Sequence, residues 1–508
     1  MIQGINWLVM KNAHRILQIF VLISTMSMVL LGCGKKDDYI PKTYSWDEAD
    51  IYEAEDQTML GNAKVSDLLQ GYSGTGYVDG IADEGDGVSF TITINEDGFY
   101  DFNFICASSG ADYKENYVSL DGDNLGTISV QSAGFTDSLL ERAYLTAGQH
   151  TVDVTKFWGW ISLDMLQVKM SDEIDPHMYE VKRTLCNPNS NETTKRLYSY
   201  LCDEYGNHIL SGQYSDGMFG LENVAIQNVT GSYPAILGLD LMEYTPSRVA
   251  YGSKGFSVDS AIGYWNQGGI VTFCWHWNAP EKYLRDPWWS GFYTDYTTID
   301  LGKIMSGEDE EGHKLLMEDI DAIAEQLLIL QENDVPILWR PLHEASGGWF
   351  WWGASGPEAY KQLYIEMYNK LTNEYGLNNL IWVWNGQDKD WYPGDEYVDI
   401  IGWDLYPGEH VYTPQTATFL EAAACTEENK IIVMSENGCV FDADTAFRDG
   451  STWGFFCTWC DEFVLENPEF NKYGEKYTER QALINTYQDE RVINREDLPD
   501  FSTYPITE

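Results

Sequence analysis

Eight short apolar runs, each long enough for one buried strand and each followed by room for a helix, occupy the chain between residues 209 and 459. They are Ile209–Gln213, Ala235–Asp240, Gly269–Cys274, Pro336–Pro341, Leu380–Trp384, Asp399–Trp403, Ile431–Ser435 and Gly454–Trp459. Buried strands that alternate with amphipathic helices predict a parallel sheet closed into a (β/α)8 TIM barrel, assigned to residues 181–508. A helix-like stretch from Glu192 to Glu204 opens this domain. Ser355-Gly356-Pro357-Glu358 starts a later helix with a cap and an early proline; Leu363, Met367 and Leu371 line its face, and Gly376 closes it. Leu315 to Leu330 repeats the pattern.

The C-terminal ends of barrel strands are the positions open to chemistry. Here they collect polar and aromatic residues. The third run ends in Trp275-His276-Trp277-Asn278, and the fourth in His343-Glu344, followed by Gly347-Gly348-Trp349-Phe350-Trp351-Trp352. The sixth gives Trp403-Asp404-Leu405-Tyr406, the seventh Glu436 and the eighth Trp459. Glycoside hydrolysis needs one carboxyl group to protonate the leaving oxygen and a second to attack the anomeric carbon or direct water at it. Glu344 and Glu436 are the pair so placed, and the chain reads first as a polysaccharide-cleaving enzyme.

Net charge and aromatic content agree with that reading. A charge of −49 excludes a nucleic-acid partner, because phosphate binding needs clustered Lys and Arg. The chain carries 19 Trp and 33 Tyr, more than a core requires, and flat rings stack on the C–H faces of sugars.

At the other end, Lys11 and Arg15 precede an apolar run from Ile16 to Leu31 that closes in Leu30-Leu31-Gly32-Cys33. The run is short for a spanning helix, which needs about 20 residues. It resembles a bacterial lipoprotein signal. That resemblance implies cleavage before Cys33, lipidation of its sulfur, and an exported protein anchored by lipid alone at the bacterial cell surface or outer membrane. Met10 is an alternative start. Residues 34–48 are a polar tether. The other eight cysteines define no disulfide framework, and on a strand Cys457 and Cys460 would point to opposite faces, so metal or redox chemistry is not expected there.

Residues 49–170 alternate at strand period, as in Val88-Ser89-Phe90-Thr91-Ile92-Thr93-Ile94, with turns such as Glu96-Asp97-Gly98 and Asp121-Gly122-Asp123 between the runs. The pattern predicts an all-β sandwich of jelly-roll type, joined to the barrel by an acidic linker at 171–180. Three features lie along it: Tyr52-Glu53-Ala54-Glu55, the run Gly71-Tyr72-Ser73-Gly74-Thr75-Gly76-Tyr77-Val78, and Gly148-Gln149-His150 leading through Trp158-Gly159-Trp160 to Leu163-Asp164. Together they resemble family 35 carbohydrate-binding modules. The resemblance implies a structural calcium held by Glu53, Glu55 and Asp164, and a sugar platform of Tyr77, Trp158 and Trp160. Hard oxygen ligands suit Ca²⁺.

In the second domain, Arg340-Pro341-Leu342-His343-Glu344 with Gly347-Gly348-Trp349, Ser435-Glu436-Asn437-Gly438, and the run from Gly268 to Asn278 are specific. From about Lys182 to Asn494 the chain resembles glycoside hydrolase family 26, whose usual activity is endo-β-1,4-mannanase. The resemblance implies net retention, with Glu344 as general acid/base and Glu436 as nucleophile, and no cofactor for catalysis. Tyr406 and Arg340 are then the donors to Glu436, and Trp349 an apolar wall beside Glu344. His276 and His343 are expected to contact the sugar at the cleavage point, with Asp404 on a mannose hydroxyl and Arg340 and Tyr406 in the same substrate-binding set. Trp459 would floor the sugar on the non-reducing side of the scissile bond and Trp349 would lie across it. The expected partner is β-mannan or manno-oligosaccharide, bound by a monomer. β-1,3-Xylan or mixed-linkage β-glucan is the alternative substrate, and a non-catalytic glycan-binding lipoprotein the alternative function.

Overall fold

The computed structural model describes residues 40–507; the signal run, Cys33 and most of the tether lie outside the described residues. Two antiparallel sheets build the first domain. One orders Lys64–Ser66, Tyr77–Asp79, Ile161–Met170, Gly98–Ser108 and Thr136–Leu145, with Asp50–Glu53 also on Ile161–Met170; the other orders Thr58–Leu60, Gly87–Ile94, Gly148–Trp158, Lys114–Leu120 and Asp123–Val130. The strand alternation decides what is inside. Val88, Phe90, Ile92 and Ile94, with Val152 and Val154 beside them on the next strand, face Phe102, Phe104, Leu163 and Leu166 of the other sheet in one core. A bulge between Leu163 and Met165 leaves Asp164 as the extra residue, which turns its carboxylate toward the Ser73 loop.

The second domain is a closed eight-stranded parallel barrel, so the expected (β/α)8 architecture is met. Its strands, numbered here β1 to β8, are Gly212–Tyr214, Ile236–Asp240, Ile270–Cys274, Ile337–Arg340, Leu380–Trp384, Ile400–Leu405, Ile431–Asn437 and Phe456–Thr458. Ile209–Leu210 pairs separately with Val492–Ile493 below β1. The helix Glu310–Glu332 shows how the sequence sets the outer ring. Asp309 caps it, accepting from the Gly312 amide at 2.9 Å, and Leu316, Ile320, Ile323, Leu327 and Leu330 form one buried stripe. The helix Pro357–Tyr368 starts after Gly356 and runs into a wider π turn at Asn369–Glu374 before Gly376. Among the described residues no helix is long and apolar enough to cross a membrane.

The acidic linker is pinned along its length. Asp175 caps a turn at Pro176–Tyr179, the Tyr179 hydroxyl donates to the Gly450 carbonyl at 2.8 Å, and Asn429 donates to the His177 carbonyl at 2.8 Å. The Arg448 guanidinium lies 4.7 Å from the Tyr144 ring of the sandwich. The two domains are therefore held by contacts of their own as well as by the chain between them.

One buried acid tests the packing of the outer ring. Asp319, within Glu310–Glu332, accepts from the Trp277 indole at 2.8 Å, and burial pushes its pKa up to about 7. A carboxyl group held above its unfolded value of 3.8 binds its proton more tightly when folded, so its stabilising contribution is present at low pH and is lost as pH rises toward 7. Asp319→Asn is expected to remove a stability slope on the order of 1 kcal/mol per pH unit in that window, measured by urea unfolding at several pH values. An unchanged slope in the variant would contradict this.

Candidate active site

The barrel places Glu344 and Glu436 from opposite sides of its mouth. Glu344 follows β4 in a tight turn, with Leu342 and Glu344 itself in the left-handed region at φ 54° and 52°. That conformation costs about 1 kcal/mol or more per residue and persists only where it is held. Asn385, at the end of β5, does the holding: the Glu344 amide donates to both its backbone and side-chain oxygens, at 2.8 and 2.9 Å. Glu436 comes straight from β7. One carboxylate oxygen from each of Glu344, Asp404 and Glu436 lies within 4.8 Å of the others.

Arg340 occupies the centre, fully buried. It donates to Asp404 at 2.8 Å, to the Tyr214 hydroxyl at 3.0 Å, and to Glu436 Oε1. The other Glu436 oxygen accepts from the Tyr406 hydroxyl at 2.7 Å, and Glu344 Oε2 accepts from the Trp349 indole at 2.8 Å. Trp349 and Tyr406 are the half-exposed members, at 47 % and 42 %, so the site opens beside them.

Burial pushes both catalytic-type carboxyl groups up, Glu344 to about 7 and Glu436 to about 8, and Asp404 adds to each. The surrounding donors decide which of the two holds the proton. A proton on Glu436 would face a guanidinium and a phenol, both turned toward it as donors, whereas Glu344 meets one indole N–H. The charge therefore rests on Glu436 and the proton on Glu344.

A second chain of contacts borders this group. Asp240, at the end of β2, accepts from His276 Nδ1 at 2.6 Å and from the His276 amide at 3.1 Å. The Nε2 atoms of His276 and His343 are 3.2 Å apart. Burial, then Arg340 and His276, hold His343 well below its usual pKa, so it is neutral, and its Nδ1 is buried without a partner. An orphaned buried N–H is the rarer defect, so His343 carries its proton on Nε2 and donates it to His276. Trp459 packs on Tyr214 at 4.7 Å and on His276 at 5.7 Å.

Several expectations need correction. Asp404 does not offer an oxygen to a sugar: one accepts from Arg340, the other from Asn385 and Ser435 at 2.9 and 2.7 Å, and its side chain is fully buried. Arg340 is likewise out of reach of substrate and acts on Glu436 from below. Tyr77 is 3 % exposed, packed against Tyr72 and Phe135, so it belongs to the sandwich core and not to a sugar platform. Trp158 is 61 % exposed beside Tyr113, and the Trp160 indole donates to Asp79 at 2.5 Å. Asp240, Asn385 and Tyr214 were missed. All three end strands β2, β5 and β1, and the strand-end rule would have found them had it been applied to all eight runs.

The buried Arg340 cluster makes a stability prediction. Removing one partner of a buried ion network strands the others, at a cost of about 3–5 kcal/mol. Arg340→Met is expected to lose that much in urea unfolding followed by tryptophan fluorescence; a loss under about 1 kcal/mol would refute the central role given to this residue.

Comparison with known proteins fits this geometry. The model for glycosyl hydrolase family 26 matches residues 186–496, and that for carbohydrate binding module family 35 matches residues 50–171. The chain is 39 % identical over 427 residues to a mannan endo-1,4-beta-mannosidase of Thermothelomyces thermophilus, covering 83 % of this chain and 86 % of the relative. It resembles the crystal structure of the Podospora anserina GH26-CBM35 β-(1,4)-mannanase at TM-score 0.62 and 37 % identity, over 90 % of this chain and 100 % of the other. A ruminal GH26 endo-β-1,4-mannanase gives TM-score 0.63 at 29 % identity over 90 % and 99 %. With two glutamates at the mouth of an eight-stranded barrel and a matching sandwich before it, the chain belongs to glycosyl hydrolase family 26 and carries an N-terminal family 35 carbohydrate-binding module.

Proposed function

We propose that this chain hydrolyses internal β-1,4-mannosidic bonds of mannan, glucomannan or galactomannan with net retention, as a surface-held enzyme. The observation that carries the mechanism is the close approach of the Glu344 and Glu436 carboxyl groups, within 4.8 Å oxygen to oxygen. Retaining enzymes set this pair about 5–5.5 Å apart, leaving no room for a water between them.

The environments assign the roles. Glu436, ionised and aimed by Arg340 and Tyr406, attacks the anomeric carbon while Glu344 delivers its proton to the glycosidic oxygen; the C1–O bond breaks and an ester forms on Glu436. Esterification removes the charge that had been holding the Glu344 proton in place. Glu344, already a carboxylate after protonating the leaving oxygen, therefore stays deprotonated and is free to accept a proton from the water that attacks C1 and frees Glu436. Asp404 keeps Arg340 in line throughout. Trp349, with its ring exposed and its N–H on Glu344, supports a sugar face on the leaving-group side. Trp459 on Tyr214 supports the opposite one.

Two finer features belong to the same reading. The leader ending in Cys33 supports a lipid anchor at the bacterial surface, which with the module raises local substrate concentration without touching the chemistry. In the module, Glu53, Glu55 and Asp164 converge on the loop Ser73–Gly76, which donates to all three, yet Glu55 Oε2 is buried without a partner. The orphaned oxygen supports a calcium ion that these three residues would hold, although they do not bring one oxygen each within 4.8 Å of the others as the carboxylates at the barrel mouth do.

Product analysis on galactomannan, mixed-linkage glucan and β-1,3-xylan tests the substrate. Manno-oligosaccharides from the intact protein and none from Glu436→Ala are expected; products from glucan or xylan alone would keep the mechanism and overturn the mannanase reading. The pH profile tests the roles. A general acid raised to about 7 is active below that pH and fails above it, so kcat/KM should fall as pH rises through neutrality. In Glu344→Ala, mannan hydrolysis should drop by roughly 10²–10⁴-fold and the alkaline limb disappear on an aryl mannobioside whose leaving group needs no proton. An alkaline limb that persists in the variant would reassign the acid.

A further inference from the structure

Beneath the His276 ring, three different ligand types meet. Cys274, the last residue of β3, sends its sulfur to 3.9 Å from His276 Nδ1, which is also 2.6 Å from Asp240 Oδ2. All three ligand atoms lie within 4.8 Å of one another. The thiol is fully buried, but the Asp240 and His276 side chains keep some exposure, so the group is reached from their side. A thiolate, an imidazole and a carboxylate form a donor set that selects zinc-class ions over Mg²⁺ or Ca²⁺. Zinc bonds of about 2.0–2.3 Å in a tetrahedron put the nitrogen and oxygen about 3.3 Å apart and the sulfur and nitrogen about 3.5 Å apart. The existing spacing needs the Asp240 oxygen to retreat by well under 1 Å and the sulfur to close slightly.

We propose that Asp240, Cys274 and His276 form a latent site for a zinc-class divalent cation, and that its occupation inhibits the enzyme. The coupling follows from proton positions. Binding takes the thiol proton to solvent, since a coordinated thiol is deprotonated outright. It also takes His276 Nδ1 as a ligand, so the proton that atom shares with Asp240 is displaced and Nε2 becomes the donor of the ring, the thiol's proton being the one released overall. His276 Nε2–H then faces His343 Nε2–H, donor against donor at a separation of 3.2 Å. His343 can restore the contact only by moving its proton to Nδ1, which has no partner in its buried setting. Either outcome unseats the residue immediately before Glu344. The ion therefore acts without touching either glutamate.

The intact mature protein, freed of metal, would be titrated with Zn²⁺ while hydrolysis is measured, and separately with Co²⁺ while the near-ultraviolet thiolate-to-cobalt band is recorded. Cys274→Ala and Cys274→Ser, which leave Asp240 and His276 in place, are the variants. Expected are inhibition by Zn²⁺ but not by Mg²⁺ or Ca²⁺, a cobalt band saturating at one ion per chain, and in both variants loss of the band with the inhibitory concentration raised roughly tenfold or more. Equal inhibition of the variants, or inhibition by Ca²⁺ as strong as by Zn²⁺, would place the ion elsewhere and overturn the proposal. Absence of a cobalt band would do so too. The band is read without substrate, so a failure of the mannanase reading would appear separately, in the metal-free activity.

Discussion

A single guanidinium organises the barrel mouth. Arg340 leaves β4 and donates to Tyr214 of β1, Asp404 of β6 and Glu436 of β7, so one side chain links four strands that are far apart in sequence. Burying a charge is expensive, and here the cost is offset only because its partners are themselves buried acids that need a cation. Each group would be untenable alone. The cluster is thus cooperative, and its geometry is fixed before any sugar arrives, as electrostatic preorganisation requires.

From that centre the two glutamates acquire different characters. Both are raised by burial, and composition alone would make them equivalent. Arg340 and Tyr406 face Glu436 and stabilise its charge, while Glu344 sits beyond the guanidinium's direct reach, with an indole N–H on one oxygen and Asp404 nearby. The same Asp404 raises Glu344 through its charge and steadies Arg340 through its hydrogen bond. Its inward orientation, with Asn385 and Ser435 filling its second oxygen, makes it a part of the electrostatic frame. Asn385 adds a mechanical link, since the residue that fixes Asp404 also holds the left-handed turn at Glu344.

The sandwich domain repeats the theme on a smaller scale. A bulge at Asp164 and the loop at Ser73 bring three acids together that lie up to 111 residues apart, from Glu53 to Asp164. Arg448 on Tyr144 and the turn at Pro176–Tyr179 then seat the sandwich on the barrel, which turns a sequence that reads as a plain acidic linker into a fixed joint.

The chain on its own determined the fold class, because burial on both faces of a parallel strand and the helical period between strands are written in local apolar pattern. It determined the chemistry at the fourth and seventh strand ends too, since a strand end in a barrel is a mouth position wherever it occurs. It could not say which mouth residue meets sugar and which meets protein. Asp404, Tyr77 and Asp240 illustrate the limit: one polar residue turned inward to an arginine, one aromatic buried under its neighbours, one acid holding a histidine from the adjacent strand. Those outcomes depend on register and on donors contributed from across the barrel or the sandwich. Hydrogen-bond pairing between distant strands is a property of three-dimensional packing, so only the tertiary structure decided it.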